Sequence, residues 1–153
     1  LRRLHADTRL RAWLAVVVWA AVISCFSTGW FSGERTGDVL LPILHALLPN
    51  ATPDQLLALH ALIRKGAHVL EYTILGALLV RALREEGLHG PALVTVAIAI
   101  GVAYAALDEL HQVFVPSRTP SPHDVLVDAT GVVAGVVVAI TGRAGLLTPP
   151  AQN

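Results

Sequence analysis

The chain is short of charge. Charged residues make up 14% of its 153 residues, where an average soluble domain carries about 25%. That is too little to cover the surface of a water-soluble domain of this length, which is otherwise about right for a single domain. Hydrophobic residues reach 54% and mean hydropathy is +0.63, figures that exclude disorder. An excess of either sign is also missing. The 11 Lys and Arg balance the 11 Asp and Glu, so no general attraction to nucleic acid is implied. Cysteine is limited to Cys25, which excludes an internal disulfide framework and any cysteine-based zinc cluster. Lysine is limited to Lys65. Repeats and low-complexity tracts are absent.

What is present is apolar sequence in long runs, which defines an integral membrane protein. A helix crosses the hydrocarbon core with about 20 apolar residues. Residues 12–33 form an uncharged run of that kind, and residues 87–107 form another, usable from near Pro91. Residues 125–141 are shorter and carry one charge, Asp128. Residues 60–83 contain Arg64, Lys65, His68 and Glu71 ahead of an uncharged stretch at 72–80. The expected fold is an all-α bundle of four transmembrane helices at about 12–31, 60–83, 91–110 and 125–141, in one membrane domain over 1–147. Residues 148–153 are expected to form a disordered tail. Val22-Ile23-Ser24-Cys25 resembles a lipoprotein-processing box, so a cleaved signal peptide is the alternative for span one. The apolar stretch continues through Phe26, Trp30 and Phe31, which favours a retained span, with Cys25 as a small lipid- or core-facing side chain. The chain begins at Leu1, which leaves the start of the protein open.

Basic residues near span ends set the orientation. Arg2, Arg3, Arg9, Arg11, Arg81, Arg84 and Arg143 fall on one side if all four spans cross, against Arg35 and Arg118, with Arg64 and Lys65 near the mouth of span two. The first set is expected to be cytoplasmic, with both termini inside. In the first outer loop, Val39, Leu40, Ile43, Leu44, Leu47 and Leu48 recur at helical spacing behind Asp38. A short amphipathic helix on the outer surface accounts for that pattern, and a packed loop helix with no lipid role accounts for it equally. Thr52-Pro53-Asp54-Gln55 is a helix start, with Thr52 as cap, Pro53 at the first position and Gln55 returning the bond. The helix that begins there is free to run on into span two.

Polar chemistry gathers in three stretches. In the first, Lys65, His68 and Tyr72 share one helix face, and Glu71 neighbours His68. The second is Asp108-Glu109-Leu110-His111-Gln112, where Asp108 and Gln112 are one turn apart. The third runs from Ser117 and Arg118 through Ser121, His123 and Asp124 to Asp128, and Ser121 and Asp124 suit the cap of span four. All three stretches lie at the outer ends of spans two, three and four. Ionisable groups within spans cost about 2.5–3.5 kcal/mol each and normally pair or face water, so these residues are expected to balance one another in one outward-facing polar pocket. Structural roles stand beside functional ones. Arg64 is best read as snorkelling to the interface. Glu71 suits an ion pair with Lys65 or Arg118 as well as catalysis. His68 suits a hydrogen-bonded buried histidine, Asp124 a plain cap, and His111 and His123 solvent-side positions. His68, Glu71 and Asp108 or Glu109 have the chemistry of metal ligands, but no spacing is diagnostic and no metal is expected.

The order Lys65-x-x-His68-x-x-Glu71-Tyr72, then Asp108-Glu109-x-x-Gln112-x-Phe114, then Arg118-x-x-Ser121-x-x-Asp124, then Gly131 resembles the VanZ-like membrane protein family over residues 64–135. Two positions depart from the family pattern. Ser117 stands where the family usually has glycine, and Asp128 where it usually has asparagine, which adds a charge in place of an amide. The resemblance implies a multi-pass protein of the bacterial cytoplasmic membrane. Name-giving members of the family are linked to resistance to teicoplanin-type glycopeptides, which act on the outer face of that membrane.

Two function classes follow. In the first, Lys65 and Arg118 hold the anionic headgroup of an envelope lipid or lipid-linked molecule, positioned by the carboxylates, with Tyr72, Gln112 and Ser121 completing the site. The second is an enzyme acting on a lipid-linked phosphate or glycan precursor. There His68 or Glu71 serves as general base, Asp108 and Glu109 are further catalytic candidates, and Arg118 clamps the phosphate. Ser117-Arg118 followed by His123-Asp124 is superficially similar to the last motif of membrane lipid phosphatases, but the other motifs of those enzymes are missing. A structural or assembly role is a third reading, since Gly131-x-x-x-Gly135 suits close packing of span four on another helix or on a second copy.

Overall fold

A computed structural model describes residues 2–115 and 121–146. Every regular element among them is helical. Helices α1 (Arg2–Phe26), α3 (Pro53–Glu85), α4 (Gly90–Gln112) and α5 (Pro122–Leu146) form the bundle, and the shorter α2 (Gly33–Leu47) follows a single 3-10 turn at Gly29–Phe31. Each of the four long helices contains a segment long and apolar enough to cross a membrane: Ala6–Phe26, Pro53–Glu85, Gly90–Gln112 and Pro122–Gly142.

Helix α3 is central and touches α1, α2, α4 and α5. Its start is fixed locally, because the Thr52 side chain accepts from Gln55 N–H at 3.3 Å and the Gln55 side chain accepts from Thr52 N–H at 2.9 Å. Its end is a glycine-capped turn. Gly87 adopts φ +87°, which admits glycine at little cost, and the Leu88 N–H reaches back to Leu83 O at 3.1 Å. The chain therefore reverses tightly into α4. At 33 residues α3 is about 50 Å long, well beyond the roughly 30 Å of a hydrocarbon core. Its partner α4 has 23 residues, so roughly the first ten residues of α3 extend past the end of α4. Helix α2 folds back along this extension, where Thr36 Oγ1 and the buried His60 Nε2 are 3.2 Å apart.

Glycine brings α3, α4 and α5 together. A side chain at Gly131 would meet Val69 O at 2.5 Å and Tyr72 Cβ at 2.9 Å, and one at Gly135 would strike the backbone of Thr73 and Ala77. In the opposite sense, the wholly buried Val132 of α5 fills the hollow left by Gly76 of α3 and Gly101 of α4. The close approach expected of Gly131 and Gly135 is thus made to α3 of the same chain. Leu75, Leu79, Val80, Ala97, Ala105 and Val136 fill the remaining interior, while Leu10, Leu14, Val17, Leu107, Leu126 and Val138 are exposed, as lipid-facing side chains are.

The two ends of the bundle differ. At one end Arg9 pairs with Glu86, which also accepts from Trp13 Nε1 at 3.1 Å, and Arg84 Nη1 donates to Ala139 O at 3.2 Å. The start of α1, the α3–α4 turn and the last turns of α5 therefore lie together. The opposite end carries α2, the extension of α3 and the polar residues of α4 and α5. Span one is expected at 12–31, and the first long apolar helical segment runs over Ala6–Phe26. Ser27 and Thr28 turn the chain there, with the Thr28 hydroxyl donating to Cys25 O at 2.7 Å. The 148–153 tail lies outside the described residues.

Candidate functional site

A cavity of about 330 Å³ opens at the α2 end of the bundle. Its wall is formed by Gly33 and Glu34 from α2, Ala61, Arg64, Lys65 and His68 from α3, Glu109 and Gln112 from α4, and Asp124, Val127 and Asp128 from α5. Helical spacing explains the choice of residues. Lys65 and His68 are one turn apart on α3, and so are Glu109 and Gln112 on α4 and Asp124 and Asp128 on α5.

Rim and floor are chemically different. Lys65 Nζ is 3.6 Å from Asp124 Oδ1, and both side chains remain well exposed. This pair is screened by solvent and contributes little to stability. Asp124 Oδ1 also lies 3.7 Å from His123 Nδ1. Arg64 reaches across to α2, where Gly33 leaves the space that its guanidinium occupies. Deeper in, Asp128 is 2% exposed, Gln112 5% and Glu109 8%. His68 Nδ1 is 3.5 Å from Asp128 Oδ1, an ion-pair distance rather than a hydrogen bond. Glu109 Oε1 accepts the Ser121 N–H at 2.5 Å, tying the α4 floor to the start of α5. Ser121 Oγ accepts the His123 N–H at 3.3 Å and Ser121 O accepts the Asp124 N–H at 2.8 Å, so Ser121 caps α5.

Not every expected residue reaches the wall. Asp108 is buried behind it, where its Oδ2 accepts from Ser27 Oγ at 2.5 Å and from Gln112 Nε2 at 3.3 Å. Tyr72 is wholly buried between helices, and its hydroxyl has no hydrogen-bond partner among the described residues. Glu71 faces α1 through its backbone, its carbonyl accepting from Trp19 Nε1 at 2.8 Å, and it is not part of the cavity lining. Lys65 pairs with Asp124, where Glu71 had been one expected partner. Arg118 and Ser117 lie outside the described residues. Arg64, read from sequence as a snorkelling side chain, is on the wall instead. Glu34 lines the cavity, and Ser27 supports Asp108 behind it, without any signal in their local sequence. Among the described residues, no group of three His, Cys, Asp or Glu side chains is arranged to hold a metal ion.

Long apolar helices around a polar cavity at one end define a multi-pass helical membrane protein with a candidate binding site. The VanZ/LLP1 family model matches residues 10–143, and the chain belongs to that family. No curated protein and no solved structure matches the chain.

Proposed function

We propose that this VanZ/LLP1 protein resides in the bacterial cytoplasmic membrane and holds the polar headgroup of an envelope lipid, or of a lipid-linked envelope precursor, in the cavity at the α2 end. In this reading the cavity faces outward and α2 lies along the outer surface of the membrane. The protein then acts in the cell envelope or in resistance to teicoplanin-type glycopeptides, which work on that face. One observation carries the reading. Four helices converge charged and polar side chains on a cavity of about 330 Å³, within the size range of small-ligand sites. Arg64 and Lys65 at the rim suit a phosphate, and Arg118 is assigned to the same task. Native mass spectrometry of protein purified in nanodiscs tests this. Retained phospholipid is expected, reduced about tenfold or more in Arg64→Ala/Lys65→Ala, given the worth of hydrogen bonds to charged groups. A wild-type protein that retains no lipid overturns the reading.

The enzyme reading has an observation of its own. His68 Nδ1 faces the buried Asp128 carboxylate at 3.5 Å, and an imidazole oriented by a carboxylate is the arrangement of a general base. Repeated release of phosphate or headgroup from a lipid-linked substrate, lost in His68→Ala, would establish it. Stoichiometric binding without turnover rejects it.

A further inference from the structure

The floor of the cavity is acidic and the ligand has to answer that charge. Glu109 and Asp128 are 8% and 2% exposed, and Asp108 directly behind them is 5% exposed. Against these three carboxylates, the part-exposed His68 is the basic side chain that faces Asp128 among the described residues. Among the described residues, even a protonated His68 balances one of them, and the hydrogen-bond partners there are neutral donors: Ser27 and Gln112 to Asp108, and the Ser121 N–H to Glu109. Buried charge of one sign is costly until a counter-charge enters. No metal-holding group is present among the described residues, so an organic cation fits better than a metal ion.

The acceptors narrow the cation further. Gln112 Nε2 gives one of its two N–H groups to Asp108, and its amide oxygen is a further acceptor on this cavity-lining residue. Glu109, Asp128 and Gln112 thus present three acceptor groups, matching the three N–H donors of a primary ammonium. A quaternary ammonium brings no donors and is normally held by Phe, Tyr or Trp rings, and none of these lines the wall among the described residues. One helical turn above His68, about 5.4 Å away, Arg64 and Lys65 supply positive charge at the rim. We infer that the ligand is a zwitterion carrying a phosphate and a primary amine, as in an ethanolamine phospholipid, with the phosphate on Arg64 and Lys65 and the ammonium on Glu109 and Asp128. This rests on the headgroup-binding reading above and specifies its ligand.

The test compares lipids of matched acyl chains for binding to the purified full chain in detergent, read by native mass spectrometry. The probes are phosphatidylethanolamine, its N-acetyl derivative, phosphatidylcholine and phosphatidylglycerol. Phosphatidylethanolamine is expected to bind at least about tenfold more tightly than the other three, the equivalent of one charge-assisted contact. Glu109→Gln and Asp128→Asn keep size and hydrogen-bonding shape, and each is expected to erase that preference while binding of phosphatidylglycerol persists or rises. Competition by soluble glycerophosphoethanolamine supports the same chemistry, with the headgroup as the recognised unit. Equal or tighter binding of phosphatidylglycerol or the N-acetyl lipid to the wild type overturns the inference and leaves headgroup binding intact. Absence of binding by all four lipids overturns both.

Discussion

Asp108 shows how a buried charge is tolerated in this chain. Its carboxylate is fed by a serine hydroxyl from the end of α1 and an amide one turn along α4. Removing the first donor strands a buried acceptor. Ser27→Ala is therefore expected to destabilise the bundle by about 1–3 kcal/mol, seen as a lower unfolding temperature in detergent, with Ser27→Thr close to wild type. An unchanged unfolding temperature in Ser27→Ala would show that this bond has no structural weight. Gly33 has the opposite profile. A methyl group there meets only the far end of the Arg64 side chain, which is flexible. Gly33→Ala is expected to leave unfolding unchanged and to weaken phospholipid retention by displacing the guanidinium from the rim. Unaltered retention would detach Arg64 from the binding site. The sequence made part of this site legible. Lys65, His68, Glu109, Gln112, Asp124 and Asp128 follow from helical spacing and from the cost of ionisable groups in spans. Ser27 and the placement of Arg64 do not, because the groups they meet lie on other helices, as far as 81 residues away for Ser27 and Asp108, and nothing in the local sequence of Glu34 marks it as lining the cavity. Tyr72 shares the Lys65–His68 face by periodicity, yet it is covered by α5 where Gly131 lets the two backbones close.

Among the elements, α3 and α5 depend on glycine in a way that separates packing from helix propensity. At Gly135 a Cβ would run into the Thr73 and Ala77 backbone, and backbone yields only if the helices part. Overpacking of this kind costs about 1–3 kcal/mol, so Gly135→Ala is expected to lower the unfolding temperature. Gly66 lies in α3 with open space around its missing side chain. Gly66→Ala is expected to be neutral or to stabilise by up to about 1 kcal/mol, the propensity difference in a helix interior. If both substitutions behaved alike, the α3–α5 seam would not be set by small residues. Local signals fixed some boundaries well. The Thr52 capping box starts α3 where expected, since both of its bonds lie within four residues. The end of α1 was less legible. Apolar residues continue to Phe31, but composition alone does not show that Ser27 leaves the helix to meet Asp108 or that the chain then turns into α2.

For the molecule as a whole, the pairing of its ends makes sidedness a single question. Arg9, Arg84 and the α3–α4 turn are locked together by Glu86 and by the Ala139 carbonyl, so they face the same side of the membrane, opposite the cavity. The α1 start adds Arg2, Arg3 and Arg11 to that end, whereas Arg35, Arg64 and Lys65 belong to the other. Loop arginine and lysine are normally retained in the cytoplasm, so the proposed topology has the Glu86 end inside and the cavity outside. Single cysteines in a Cys25→Ser background test the assignment with a membrane-impermeant maleimide. Asp54→Cys, at the exposed start of α3, is expected to label in intact cells. His89→Cys, in the exposed α3–α4 turn, is expected to label only after the membrane is opened. The reverse pattern would turn the cavity toward the cytoplasm. Lipid held there would then be drawn from the inner leaflet, and any part in resistance to an antibiotic acting on the outer face would need a route other than this site.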